Sequence, residues 1–98
     1  MDRRQLLQRY REGYDVLVES LRDITPAELG AREGHDEWSP QQVVNHCADS
    51  ELNSAIRLRK LIAEENPVIY GYDEKDYAER LHYDRPYGSS LAAVKGAR

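Results

Sequence analysis

Apolar side chains recur through this chain at alternating steps of three and four, the spacing that lines up one face of an α-helix. The first such stretch is residues 3 to 24, where Leu7, Tyr10, Tyr14, Leu17, Leu21 and Ile24 form the seam. Charged Arg9, Arg11, Glu12, Asp15, Glu19 and Arg22 fill the other face. Gly13 sits inside this pattern at a cost of about 1 kcal/mol against alanine. The second stretch opens at "WSPQQ": Ser39 is an N-cap, Pro40 takes the first helical position, and Gln42 completes a capping box. It runs to about residue 65, where Asn66-Pro67 stops it, with Val44, Ala48, Glu51, Ala55, Leu58 and Ile62 as its seam. Between the two, "TPAEL" supplies a short turn with Thr25 as cap, followed by the loop "GAREGHDE". Two amphipathic helices of similar length predict an antiparallel hairpin and an all-α fold.

Residues 66 to 88 break the pattern. They hold Tyr70, Tyr72, Tyr77, Tyr83 and Tyr87, most of the chain's 7 tyrosines, together with Pro67 and Pro86. Within them "DEKDYAERL" predicts a short helix over 73 to 81 capped by Asp73. A helical tail is expected from about Ser89, in "SSLAAVKGAR", with so few turns that the pattern suggests a missing continuation.

Composition narrows the class. A chain of 98 residues makes one small domain, residues 1 to 98, with little material for a core. It is 40% hydrophobic and 33% charged, too apolar for disorder and ordinary for a helix-rich protein. No apolar run approaches the ~20 residues of a membrane helix. "MDRRQLLQRYREGYD" lacks the apolar stretch of a signal peptide, so a cytoplasmic protein is expected. The net charge is −4, and the Lys and Arg residues are interspersed with acids, which gives nucleic-acid binding no electrostatic basis. The single cysteine, Cys47, excludes an intrachain disulfide framework and any Cys-x-x-Cys motif.

Candidate chemistry gathers in "EWSPQQVVNHCADSE". His46 lies roughly 160° around the helix from the Val44 line, off the hairpin's own seam. It is open to three readings: metal ligand, half of a His/Cys pair, or polar residue facing water. Consecutive helical residues point ~100° apart, so Cys47 is poorly placed to share a proton with His46 and reads better as a small hydrophobe. Glu51 stands on the seam, where an unpaired carboxylate is costly; a buried partner such as Arg or Tyr, or a supporting place near a site, would answer that cost. Asp49 is expected to face solvent. Trp38, just before the cap, is expected to pack against the second helix as a staple. The tyrosines either wall a pocket or cover an open bundle end. His35 and His82 have no partner that spacing can name.

Taken together, "EWSPQQVVNHCADSE", "YGYDEKDYAERLHYDRP" and "SSLAAVKGAR" resemble, in this order, the DinB-like superfamily that includes the YfiT-type proteins. The resemblance spans nearly the whole chain. It implies a four-helix bundle, here partial, without the fourth helix and most of the third, and with a divalent metal (nickel or zinc) near one end. His46 maps onto the second-helix ligand. The remaining ligands of the family come from a His-x-x-x-His or similar pair on the fourth helix, and neither His35 nor His82 stands in such a spacing, so the site is incomplete within one chain. Members with known activity include thiol-dependent transferases, which implies a small-molecule thiol or other small substrate; no catalytic residue is carried over. The alternative is a non-catalytic helical module for self-association or partner binding.

Two exposed seams and no disulfide are hard to shield in so short a chain. A homodimer is therefore expected, two hairpins supplying four helices. Such a dimer could bring two His46 side chains together with Glu51 as a third ligand, or exchange the tail from Ser89 between copies.

Overall fold

The computed structural model describes all 98 residues. The chain forms five helices and no strand: α1 (Arg3–Ser20), α2 (Pro26–Leu29), α3 (Pro40–Ala63), α4 (Glu74–Arg80) and α5 (Gly88–Ala97). None is long and apolar enough to cross a membrane.

Caps set most of the starts. Asp2, Thr25 and Ser39 each accept from the backbone N–H three residues on, while Gln5, Glu28 and Gln42 reach back to the cap N–H, completing three capping boxes. Asp73 caps α4 by accepting from the Asp76 N–H at 3.0 Å. α5 differs: Tyr87 precedes it with no side-chain cap, and the helix starts at Gly88, one residue ahead of expectation. α1 stops short of the expected residue 24. Leu21 closes its last turn, and Asp23 then takes a positive φ of 58°. Left-handed backbone of that kind is tolerated by aspartate and turns the chain away from the helix axis.

Contacts give the helix directions. Tyr10 of α1 meets Glu51 of α3, while Leu17 and Leu21 line the same groove as Val43 and Val44, so α1 and α3 run antiparallel as expected. Asn45 meets Ser90, and Glu51 meets Arg98, so α3 and α5 run parallel. Parallel neighbours need a connection that returns along the helix length, and residues 64 to 87, with α4 inside them, are that crossover.

The tightest pairing of α3 is with α5, rather than with α1 as the hairpin reading expects. No residue of α1 is buried. The α1 seam instead bounds an open groove of about 550 Å³ against the start of α3, with α2 and Trp38 at its end. The fully buried positions explain the preference. Val44, Ala48, Tyr83 and Val94 form the apolar core, and Ser39, Gln42, Asn45, Glu51 and Ser90 are buried beside them. A core this polar is held by directional bonds as much as by area. Those bonds run from α3 to the crossover and α5: Asn45 donates to the Tyr83 carbonyl at 2.7 Å and the Arg85 carbonyl at 2.8 Å, and accepts from the Ser90 hydroxyl at 2.6 Å. Gln41 donates to the Arg85 carbonyl at 2.7 Å.

Candidate functional site

His46 lies on the second turn of α3, on the side covered by the crossover. Its ring is wedged between Trp38, with centroids 4.9 Å apart, and Tyr83, at 6.4 Å. Trp38 and Tyr83 meet edge to face at 5.9 Å. Trp38 thus packs on α3, as a residue before the cap should, and much of that packing is against His46 itself. The imidazole is 21% exposed. Its Nδ1 is buried without a hydrogen-bond partner, and its Nε2 lies 4.0 Å from a carboxylate oxygen of Glu74, the first residue of α4.

Tyr83 anchors this arrangement from beneath. Its ring is fully buried, and its hydroxyl donates to Asp49 at 2.6 Å. Burial, then the bond to Asp49 and that carboxylate's charge, hold the phenol well above its ordinary range, so it stays a neutral donor. Asp49 is therefore not the solvent-facing residue expected; its carboxylate is taken up by a tyrosine far along the chain. Tyr72 packs on Tyr77 at 4.7 Å, and its hydroxyl is buried without a partner. Burial raises that phenol too, and the nearby Glu74 charge adds to the effect. The tyrosine-rich crossover thus covers the His46 end of α3, while Tyr70 stays largely exposed.

The other candidates separate. Cys47 is half-buried and reduced; burial, then the Glu51 charge, raises its thiol, the opposite of an activated nucleophile. Glu51 is a buried partner to both Arg and Tyr. Arg98 donates to it at 2.7 Å and Tyr10 at 3.1 Å, which ties α1, α3 and α5 together at one level. This answers the cost of a carboxylate on the seam and takes Glu51 out of the metal reading within one chain. His35 and His82 line one polar cleft of about 840 Å³ with Lys75 and Glu79; His82 lies just after α4, at φ 54°.

No group of three or more His, Cys, Asp or Glu side chains is arranged to hold a metal ion. His46 has the chemistry of one metal donor, held by packing on two sides, and a carboxylate oxygen of Glu74 lies 4.0 Å from its Nε2. Zinc sites take three or four protein ligands. His46 and Glu74 are donors of the right kind for a divalent ion, but two in number, fewer than such a site takes.

A family model of the DinB superfamily matches residues 9–98. The chain belongs to that superfamily. It is 39% identical over 80 residues to a protein of Oceanobacillus iheyensis whose name makes it a candidate metal-dependent hydrolase, covering 82% of this chain and 46% of the relative. A protein of Bacillus cereus with the same description is 32% identical over 79 residues, 81% of this chain and 46% of its own length. Among solved structures, YfiT of Bacillus subtilis, described as a candidate metal-dependent hydrolase with an unusual four-helix bundle topology, superposes with a TM-score of 0.86 at 29% identity. That likeness covers 99% of this chain and 58% of YfiT. The chain therefore spans about half the length of the curated relatives it matches.

Asn45 and Glu74 are the residues that sequence reasoning missed; Tyr83 was named in the tyrosine cluster, without its bond to Asp49. Asn45 carries a weak signal, a carboxamide on the edge of an apolar seam, where a buried polar group needs partners. Glu74 has none, because only the path of the crossover brings it to His46.

Proposed function

We propose that this DinB-type chain belongs to a metal-dependent enzyme of the thiol-transferase type, with His46 as a ligand to nickel or zinc and a small-molecule thiol as co-substrate. The carrying observation is the held imidazole of His46: Trp38 and Tyr83 fix its plane, and its Nε2 faces a carboxylate rather than a hydrogen-bond acceptor at bonding distance. The relatives' description as metal-dependent supports the metal. A divalent ion supplies acidification of a thiol or water and polarisation of an electrophile. The chain's own residues contribute orientation. Trp38 and Tyr83 exclude water from one side of the imidazole, and the neutral Tyr83 phenol keeps Asp49 occupied, so that Asp49 does not compete for the ion.

Equilibrium dialysis against nickel and zinc tests the reading. Binding is expected in the native chain and lost in His46→Ala, with thiol transfer to an electrophile such as chlorodinitrobenzene dependent on the same residue. Metal binding that survives His46→Ala would place the ion elsewhere and overturn the assignment.

A second reading, a helical module that self-associates, is favoured by one observation. The seam residues Leu58 and Ile62 of α3 are 46% and 87% exposed. A homodimer that buries this end fits both readings. Light scattering at micromolar concentration is expected to give twice the chain mass, and Leu58→Lys with Ile62→Lys to return it to a monomer. A native chain that is monomeric under these conditions removes the second reading.

A further inference from the structure

Asp23, at φ 58°, turns the chain after the last turn of α1, and a groove of about 550 Å³ is left between that end of α1, α2 and the start of α3. Its size lies within the roughly 300–1,000 Å³ of small-molecule sites. The walls are apolar, with Leu21 and Ile24 on one side, Val43 of α3 on the other and Trp38 at the end. Leu21 and Ile24 are only half-buried, and Val43 is 40% exposed. Ser20 also lines the groove, but its hydroxyl already donates to the Leu17 carbonyl at 2.6 Å. An occupant therefore gains from these walls by burying apolar surface, not by hydrogen bonding.

The rim has the opposite character. Glu28, Glu33 and Glu37 stand there with a single cationic side chain, Arg32. Glu28 is taken up by its own capping box, where it accepts from the Thr25 hydroxyl at 2.8 Å. Glu33, Glu37 and Arg32 belong to none of the chain's ion pairs. Three carboxylates to one guanidinium favour a cation at the mouth, and two of those carboxylates are free to meet it. Trp38 adds an aromatic surface beside the apolar walls, suited to an aromatic ring.

We propose that this groove binds a small arylalkylamine, its ring against Trp38, Ile24 and Val43 and its ammonium group between Glu33 and Glu37. The site is separate from His46 and does not rest on the reading of His46 as a ligand.

Trp38 is the chain's only tryptophan, so its fluorescence reports on the groove directly. The test titrates 4-phenylbutylamine into the whole chain, with 4-phenylbutanol and 4-phenylbutyrate as the neutral and anionic counterparts. Saturation-transfer NMR on the same samples detects binding without relying on the indole. The amine is expected to bind saturably, with an apparent Kd at least about threefold below that of the alcohol, and the butyrate more weakly than either. Glu33→Gln with Glu37→Gln should bring the amine to the level of the alcohol and leave the alcohol unchanged. Val43→Phe, which fills the groove from a partly exposed position, should weaken the amine and the alcohol about tenfold. Ile24→Phe is a second blocking change from the facing wall, and circular dichroism checks that each variant keeps the fold. An alcohol that binds as tightly as the amine, or an amine indifferent to the double Gln change, overturns the proposal. Binding unaltered by both blocking changes places the probe elsewhere, and no saturable binding by either method removes the site.

Discussion

The side-chain oxygen of Asn45 accepts the Ser90 hydroxyl at 2.6 Å, while the amide of the same Asn45 donates to two carbonyls of the crossover. One fully buried carboxamide thereby joins α3, the crossover and α5, and fixes the parallel pairing from which the His46 environment follows.

Asn45→Ala is expected to cost about 3 kcal/mol, because it strands two carbonyls and a hydroxyl in the interior. Asn45→Asp should cost as much, since it replaces the two donors with an acceptor. Urea unfolding monitored by circular dichroism gives the number, and Ser90→Ala should lose about 1 kcal/mol by the same measurement. A loss under 1 kcal/mol in Asn45→Ala would mean that apolar packing, not this bond set, holds α5.

Glu51 and Arg98 are predicted to be coupled. Removing one partner of a buried pair leaves a charge uncompensated, so Glu51→Ala should cost about 3 kcal/mol. The double mutant with Arg98→Ala should recover part of that, with a coupling of about 1–3 kcal/mol. Little dependence on salt is expected, since the pair is shielded from solvent. Additive single losses would show that the two residues act independently.

Gly13 offers a test of the same clamp. A Cβ at Gly13 would lie 2.5 Å from an Arg98 guanidinium nitrogen, so Gly13→Ala must push that side chain aside and off the Tyr10 carbonyl. The helix gains about 1 kcal/mol from alanine and loses about as much in displaced contacts, so the single change should be near neutral. In an Arg98→Ala background the gain should appear in full, as a rise in stability of about 1 kcal/mol.

The tyrosines predict an alkaline limit. Tyr10, Tyr72 and Tyr83 are all raised above the ordinary 10.0, chiefly by burial. Above pH 10.0 the unfolded chain releases these protons and the folded chain holds them, so the folded state binds more protons and stability falls as pH rises. For the buried Tyr83 the slope should approach about 1.4 kcal/mol per pH unit. Chemical denaturation at pH 8 to 11 measures it, and Tyr83→Phe should flatten the curve in that window while lowering stability below it through the lost Asp49 bond.

The helices were legible because their signals are local. Ser39, Pro40 and Gln42 lie within four residues, and their capping box forms without reference to anything else in the chain. Apolar periodicity likewise placed Val44, Ala48 and Glu51 on the inward face of α3, and all three are buried. Around His46 the residues alone leave three readings open, and only the resemblance to the DinB-like superfamily singles it out as a candidate ligand. Periodicity reports the angle of a residue about its own helix, however, and not which element stands opposite. Asp49 points away from the Val44 line and reads as solvent-facing until a tyrosine 34 residues on is folded over it. Asn45 and Ser90, 45 residues apart, carry no mutual signal in the chain, yet their bond makes α5 rather than α1 the closest partner of α3. Glu74 meets His46 for the same reason. Long-range pairing is decided by which buried polar groups can satisfy one another at once, and that balance exists only when the crossover is in place.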